Sequence, residues 1–312
     1  MAKTIRSEVT SAVHSLPWLI AQDEALFAEE GLEAESVHAA QRGAWKSKLG
    51  SETTTITGKD LVRDHRAVDS IGVHLIFEEG SCDVYRACEW GQVRRSQDSS
   101  RGGRIVGRRP AVSTQAILVR PDSPINYPQQ LSGKSVGVNF HAGSHYLALM
   151  FLEGFLRRDE IEVVHAGRPL ERYEALMNGD VDAVGLMEPW IALAEKNGCK
   201  SIGEAHYIGA DISTPDMDPD TYEALQRAIS KAVKLFNADK KRYLRYLIDE
   251  IPPELGTLDP EDFHLPRLRY IEPAPYSETE FRRTYEWMLG WDLISEDMTY
   301  EDLVDNRISA AC

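Results

Sequence analysis

The stretch LMNGDVDAVGLMEPW at residues 176–190 decides the fold of this chain. Gly179 stands where a helix would end, and the apolar run from Val181 onward has the length and composition of a buried parallel strand. Glu188 and Trp190 follow where that strand stops. Because ligands bind at the carboxyl ends of the strands in an open α/β sheet, we expect Glu188 and Trp190 to contact a small molecule.

A similar pattern occurs earlier in the chain. Gly80 and Asp83 precede a β-like run that ends at Cys88, and Glu89 and Trp90 follow it. In both places a glutamate and a tryptophan come directly after the strand. This repetition predicts two similar sub-domains that contribute equivalent strand ends to one cleft.

The chain opens with a β-loop-α-β unit, which is the start of a parallel sheet. Residues 4–9 and 32–37 have the composition of strands. Between them the pattern predicts a loop over 10–17 and then an amphipathic helix over 18–30.

The rest of the chain divides into an alternating part and a helical part. A loop rich in Ser, Gly and Arg is expected over 97–109, and strands and helices then alternate at βαβ spacing over 115–205. From His206 onward the pattern is helical. The sequence therefore predicts an α/β fold of two lobes, each a doubly wound sheet. Lobe 1 is formed by residues 1–114 with 206–312, and lobe 2 by residues 115–205.

Two helix starts in the last part carry capping signals. Asp218 and Pro219 form an N-cap and first-turn pair. Ser277 and Glu280 have the spacing of a capping box. Both positions are therefore predicted to begin a helix.

The composition excludes several classes of partner. With 50 acidic and 35 basic residues in 312, the chain has a formal charge of −15, which argues against non-specific binding to nucleic acid or to an anionic membrane. The longest apolar stretch, residues 146–156, is interrupted by Glu153 and is far shorter than the ~20 residues that cross a bilayer. No nucleic acid and no membrane insertion are expected.

The amino-terminal residues show no basic start followed by an apolar segment and a small-residue cleavage pattern. This predicts a cytoplasmic location for the chain as written. A chain from which an export signal had been trimmed would be periplasmic.

The cysteines and the known short motifs give no sign of a metal or cofactor. Cys82, Cys88, Cys199 and Cys312 are scattered, without the spacing of a zinc site, and such free thiols fit a reducing compartment. No Gly-x-Gly-x-x-Gly, P-loop, Gly-x-Ser-x-Gly or His-Glu-x-x-His pattern occurs. We therefore expect no metal, no nucleotide chemistry and no cofactor.

Residues 140–145 join a predicted strand to a predicted helix. The free backbone N–H groups and the positive end of that helix predict an anion site. Ser144 adds a hydroxyl donor, and His141 or His145 adds a ring N–H. An alternative is that Ser144 simply caps the helix, since serine is an ordinary residue there, and a cap can also face a ligand.

Two further loops are expected to line the same cleft. His14 and Ser15 lie in the first strand-to-helix loop, and Arg42 and Trp45 follow the second strand. The alternatives are a solvated surface charge for Arg42 and a histidine bonded to nearby backbone for His14.

Cys88 is the only thiol at a predicted strand end. A thiol becomes a nucleophile when nearby positive charge lowers its pKa, and Arg86 is two residues away. The alternative is a small buried residue in a tight turn. If the protein is an enzyme, Cys88, His14 and Glu89 are the candidate catalytic residues.

A resemblance to the thiamine-pyrimidine-synthase-like family is carried by segments 17–22, 27–32, 118–125, 131–138 and 182–190, in this order. That family includes the solute-binding proteins of ABC importers for sulfonates, nitrate, taurine and pyrimidines. The resemblance implies a two-lobed clamshell like that of periplasmic binding proteins, with an ABC permease as the partner of an exported form.

The resemblance also implies that a ligand lies between the lobes, against the loops that hold His14, Cys88, Ser144 and Glu188. The fungal-type pyrimidine synthase of the family carries a cysteine cluster for iron, which this chain lacks.

Another relative is the biphenyl sulfinate desulfinase, which uses a cysteine in the first loop with a histidine and an arginine from the following segment. Here the first loop has His14 and Ser15, while His74 and Arg86 lie in comparable surroundings. Cys88 would then be the thiol, acting from another direction.

These observations lead to hypotheses of different classes. The first is a protein that closes over a small anionic organic molecule of the sulfonate, carboxylate or pyrimidine type, held by Ser144 and the helix end with Trp90 or Trp190 stacked on its body. The alternative is an intracellular hydrolase or lyase, desulfinase-like or decarboxylase-like, acting on a small aromatic or anionic substrate in the same cleft. A third is a cytosolic ligand sensor.

Overall fold

The computed structural model describes residues 2–9, 11–38, 54–57, 73–294 and 298–307. Within them a ten-stranded mixed sheet orders its strands β2-β1-β4-β9-β5-β8-β6-β7-β3, with β10 paired to β5. The strands are β1 (Lys3–Glu8), β2 (Leu32–Val37), β3 (Thr54–Thr57), β4 (Val84–Cys88), β5 (Arg104–Val119), β6 (Ser135–Val138), β7 (Glu162–His165), β8 (Ala183–Leu186), β9 (Lys200–Ser213) and β10 (Arg269–Tyr270). The helices are α1 (Ala12–Asp23), α2 (Leu26–Glu29), α3 (Val73–Glu78), α4 (Glu89–Asp98), α5 (Gly143–Leu152), α6 (Pro169–Asn178), α7 (Trp190–Lys196), α8 (Pro219–Ala238), α9 (Arg245–Ile248), α10 (Glu278–Gly290) and α11 (Tyr300–Leu303).

Two long antiparallel strands join two parallel parts of this sheet. β1 runs parallel to β2 and β4, and β6 runs parallel to β7 and β8. Between these parts, β5 and β9 pair with each other and shift register between Arg108 and Val112, which bends the ribbon. We call β1, β2 and β4 the first half of the sheet, and β3, β6, β7 and β8 the second half. The predicted lobe boundaries, at 114/115 and 205/206, fall within β5 and β9 and stay a prediction.

The α/β class is as predicted, but three expected segments are wrong. The loop expected over 97–109 contains the end of α4 and the start of β5. Its polar composition hid the strand because Arg109 is fully buried, with its guanidinium over the ring of Tyr207, while Ile105 packs in the core. The helical pattern expected from His206 onward begins later, because β9 continues to Ser213 and pairs with β4 on its other edge.

The loop expected over 10–17 is also wrong, because α1 begins at Ala12 and includes Pro17. A proline inside a helix leaves the carbonyl four residues earlier without its amide donor. Here that carbonyl belongs to Val13, and the hydroxyl of Tyr270 donates to it at 2.6 Å. A distant hydroxyl therefore replaces the lost backbone bond, and the helix continues.

The predicted helix ends are confirmed. Gly179 ends α6 with a positive φ of 83°. The side chain of Asp218 accepts from the Thr221 amide at the start of α8, and Ser277 forms the expected capping box at the start of α10. Among the described residues, no helix is both long and apolar enough to cross a membrane.

Candidate functional site

A cavity of about 270 Å³ is lined by residues of both halves of the sheet. The first half supplies Glu8 from the end of β1 and Cys88 from the end of β4. The second half supplies Ser144 from α5 and Arg168 from the segment before α6, and Tyr207 comes from β9. Carboxyl ends of strands and amino ends of helices therefore meet at one site of a size that suits a small organic molecule.

The second-half wall contains the start of α5. Ala142 is the N-cap residue, so the interpretation that Ser144 caps the helix is wrong. The Ser144 hydroxyl lies in the first turn and accepts from the Asn139 amide at 2.9 Å. A Cβ at Gly143 would lie 2.6 Å from the Tyr207 hydroxyl, so only glycine allows this close approach. Ala142, Gly143 and Ser144 line the cavity, so the positive end of the helix lies against it.

Two arginines of α6 and its N-cap line the same wall. The Arg168 guanidinium is ion-paired with Glu171. Arg172 is buried, and one of its terminal nitrogens donates to the Gly167 carbonyl at 2.8 Å while its Nε has no hydrogen-bond partner. Burial lowers the pKa of Arg172 to about 10, so the side chain remains charged at neutral pH.

The first-half wall also carries two arginines. Arg86 is buried in β4, with its Nε 3.8 Å from Asp211 and its guanidinium over the Trp18 ring. One of its terminal nitrogens has no hydrogen-bond partner. Arg95 reaches the cavity from α4 and is only half-buried. Four arginines, two from each wall, therefore surround the cavity.

The two carboxyl groups that line the cavity are largely uncharged or already bonded. Burial raises the pKa of Glu8 to about 8, against the lowering effect of nearby Arg86 and Arg95. Burial also raises the pKa of Glu250 to about 7, and this group accepts from the Ala12 amide at 2.7 Å and from the indole of Trp190 at 3.0 Å. At neutral pH Glu8 therefore neutralises little of the arginine charge in the cavity.

Cys88 and His14 both line the cavity, and both are held uncharged by burial. Burial raises the pKa of the Cys88 thiol, whose Sγ accepts from the Gly91 amide at 3.4 Å. Burial and the charge of Arg109 hold the pKa of His14 well below its usual value, and its Nε2 has no hydrogen-bond partner. This pair has the chemistry of a weak nucleophile and a neutral base.

Other predicted site residues lie around the cavity without lining it. Glu89 points to the other side of α4, where it accepts from Tyr276 and Thr284 at 3.3 and 3.0 Å, and its pKa is raised by burial to about 7. Trp90 packs against Tyr146, Tyr207 and Trp287.

Glu188 accepts from the Ala192 amide and is ion-paired with Arg267. Trp190 stands one hydrogen bond behind the cavity, through Glu250. The repeated pattern predicted equivalent strand ends in one cleft. The glutamate and the tryptophan at each strand end instead contact other parts of the protein.

The histidines divide in the same way. His145 accepts at Nδ1 from the His141 amide and lies behind Phe140, outside the cavity lining. His74 lies within 3.0 Å of the Tyr85 hydroxyl, and burial lowers its pKa to about 4. Four of the predicted site residues line the cavity, namely His14, Ser15, Cys88 and Ser144. Of His74 and Arg86, the pair compared with the desulfinase, only Arg86 lines it. Arg42 and Trp45 lie outside the described residues.

Sequence reasoning missed Glu8, Arg95, Arg168, Arg172 and Glu250. Arg168 had a usable signal, since it precedes a proline at the start of a helix after a strand. Glu8 had one as well, since it lies at the end of the strand predicted over 4–9. Arg95, Arg172 and Glu250 gave none, because they reach the cavity only through long-range packing. Among the described residues, no cluster of three or more His, Cys, Asp or Glu side chains could hold a metal ion.

Comparison with known proteins agrees with this architecture. Residues 104–241 match the family model described as NMT1/THI5 like. This chain resembles the NMT1/THI5-like family. The resemblance expected from the sequence is therefore confirmed, and no curated protein sequence matches the chain.

Solved structures match the fold of nearly the whole chain. The alkanesulfonate-binding protein SsuA from Xanthomonas axonopodis pv. citri, bound to MOPS, superposes with a TM-score of 0.72 at 17% identity and covers 98% of this chain and 100% of its own. A Candida albicans protein described as having the generic periplasmic binding protein fold gives 0.68 at 10% identity, with 97% and 96% covered. A mutant of the enzyme DSZB in complex with biphenyl-2-sulfinic acid gives 0.60 at 15% identity, with 98% and 97% covered. The predicted periplasmic-binding-protein-like fold is confirmed.

Proposed function

We propose that this protein binds a small organic anion of the sulfonate or carboxylate type in the cavity between the two halves of the sheet. The observation that carries the proposal is the charge of the cavity. Arg86, Arg95, Arg168 and Arg172 line it, whereas burial keeps Glu8 largely protonated at neutral pH. Buried cations with incomplete partners are costly, and an anion that completes their bonding recovers that cost.

The backbone at the start of α5 supports the same conclusion. The positive end of this helix lies at the cavity, which Ala142, Gly143 and Ser144 line, and this arrangement favours negative charge. The sulfonate-binding and sulfinate-binding neighbours have the same fold, so an anion in this cleft also agrees with the comparisons. Within this proposal, an ABC permease would be the partner of an exported form, and both partner and location stay predictions.

A second candidate function is a hydrolase or lyase that acts in the same cavity. It is favoured by one observation, which is that the Cys88 thiol and the unpartnered Nε2 of His14 line a single cavity. The raised pKa of the thiol favours binding over catalysis, since the thiolate is the nucleophilic form.

Calorimetric titration of the full chain with benzenesulfonate, benzoate and ethanesulfonate tests the proposal. At least one acid is expected to bind saturably at one per chain, and its uncharged amide at least ~10-fold more weakly, because only the acid meets the arginines with a full charge. The double variant Arg95→Gln/Arg172→Gln, which removes one cation from each wall, should weaken binding at least ~10-fold. Arg282→Gln, at an exposed arginine of α10, is the matched control.

Equal binding of an acid and its amide would contradict the proposal. Mass spectrometry of the ligand after incubation separates the two candidate functions. Recovery of an unchanged ligand supports a binding protein, whereas depletion far beyond the protein concentration, abolished in Cys88→Ser, supports the enzyme.

A further inference from the structure

The positive charge of the cavity comes in two separate pairs. Arg86 lies on β4 of the first half and Arg95 on α4, the helix that follows it. Arg168 and Arg172 lie at the start of α6, which follows β7 of the second half. In the sheet, β9, β5, β8 and β6 stand between β4 and β7, and neighbouring strands are about 4.8 Å apart. The two pairs therefore enter the cavity from different parts of the fold.

Each pair keeps an excess of positive charge. On the first side, Asp211 lies 3.8 Å from Arg86, and among the described residues no carboxylate lies within 4 Å of Arg95. Glu8 lies near both arginines but is largely protonated at neutral pH, because burial raises its pKa to about 8. Asp211 is also shared with the buried Arg109. One carboxylate thus faces at least two cations on this side.

On the second side, Glu171 is the carboxylate beside both arginines. It is ion-paired with Arg168, and its charge also acts on Arg172. Arg172 keeps an Nε–H without a partner, although the residue is almost completely buried. One carboxylate again faces two cations, so each wall retains about one unmatched positive charge.

We infer that the ligand of this cavity carries two separated anionic groups, one held by the Arg86–Arg95 pair and the other by the Arg168–Arg172 pair. The inference rests on the proposed function and makes it more specific. The chemical class is a small dianion such as a dicarboxylate, a disulfonate or a sulfocarboxylate. A molecule with a single anionic group completes only one pair and leaves the other buried and unmatched, which costs affinity.

Matched probes isolate the second charge. Calorimetric titrations at one fixed ionic strength would compare 4-sulfobenzoate with 4-carbamoylbenzenesulfonate, and 3-sulfopropanoate with its amide. Within each pair the shape is nearly constant and one negative charge is removed. The dianion is expected to bind at least ~10-fold more tightly than its amide on at least one scaffold, which corresponds to a full charge-assisted interaction.

Single variants then test whether each wall holds one of the two anionic groups. In Arg172→Gln and in Arg95→Gln, the affinity ratio of dianion to amide should fall to about 3-fold or less, whereas Arg282→Gln should keep the full ratio. Circular dichroism and thermal unfolding confirm that each variant is folded. Arg95 is half-buried, so its variant keeps the test valid even where Arg172→Gln is too unstable.

The outcomes separate the inference from the proposed function. A dianion and its amide of equal affinity, or a ratio that both variants leave intact, would overturn the inference and leave anion binding in place. Phenyl phosphate carries both charges on one group. If it bound as tightly as 4-sulfobenzoate, with the same loss of affinity in both variants, the inference that the two anionic groups are separated would be overturned. Failure of every anionic probe to bind would overturn the proposed function together with the inference.

Discussion

The two walls of the cavity hold their positive charge in different ways. The first-half wall places a buried carboxyl, Glu8, beside Arg86 and Arg95, and that carboxyl changes charge near pH 8. The second-half wall combines the start of α5 with Arg172, whose pKa of about 10 keeps it charged over the physiological range. The comparison teaches that the positive charge of the second wall is fixed over the physiological range, while the first wall has a charge that depends on pH.

The largest expected effect comes from disturbing the second-half wall, whose charge does not change over the physiological pH range. In Gly143→Ala the new Cβ would lie 2.6 Å from the Tyr207 hydroxyl and 3.0 Å from the Gln115 amide nitrogen. Tyr207 is buried between Trp90 and Arg109, so its ring has little freedom to move away. We expect a loss of about 1–3 kcal/mol in the free energy of unfolding and a strong loss of anion affinity.

Urea unfolding and calorimetric titration measure these two effects. The matched control is Gly290→Ala at the end of α10, where the added methyl has its nearest neighbour at 3.7 Å. It should change stability by less than about 0.5 kcal/mol and leave affinity unchanged. Equal behaviour of the two variants would show that Gly143 is not a close-approach position.

The second prediction concerns the wall whose charge varies. Glu8 has a folded pKa of about 8, above its ordinary value of 4.5, so the native state holds more protons than the unfolded state between these values. Stability should therefore fall as pH rises from about 4.5 to about 8. In Glu8→Gln this part of the pH dependence disappears, and the variant should exceed the parent by roughly 1–3 kcal/mol at pH 9.

Urea unfolding at pH 5, 7 and 9 provides the measurement, with the exposed Glu33→Gln as control. Anion affinity should follow the same change, because ionised Glu8 competes with the ligand for Arg86 and Arg95. Affinity in the parent should fall several-fold between pH 6.5 and 9, and Glu8→Gln should remove most of that fall. Identical pH profiles for parent and Glu8→Gln would refute the assignment.

The smallest effect is expected where the two walls meet. The indole of Trp190 donates to Glu250, which also accepts from the Ala12 amide at the start of α1. Trp190→Phe removes the indole donor, and we expect a loss of about 1 kcal/mol in stability with a two- to threefold change in affinity.

Trp287→Phe is the control, because its indole donates to Glu153 at 2.5 Å away from the cavity. It should cost similar stability and leave affinity unchanged. A change in affinity of the same size in both variants would mean that the Trp190 contact has no special link to the cavity.

The contrast between the walls also explains what the sequence could predict. The strand-to-helix loop at 140–145 is local, so Ser144 and the helix start were found from a short window. The expectation that ligands bind at strand ends also identified His14 and Cys88, and both line the cavity. Their roles in binding stay predictions.

The charged part of the site could not be found in this way. Glu8 gains its raised pKa from burial that only the assembled sheet provides, against the lowering effect of Arg86 and Arg95, which lie far from it in sequence. The start of β5 escaped detection because Arg104, Arg108 and the buried Arg109 give this strand a polar composition. Long-range partners thus decide the properties that local composition does not show.

The hydrogen bond from the Tyr270 hydroxyl to the Val13 carbonyl joins positions 257 residues apart in the sequence. During synthesis the ribosome makes β6, β7 and β8 as one nearly continuous segment. The strands of the second wall have therefore all been made when residue 186 has emerged. By contrast, α1 lacks the donor for its free Val13 carbonyl until residue 270 has been made. A nascent chain would therefore contain all the strands and helices of the second wall before the hydrogen bonding of α1 can be completed.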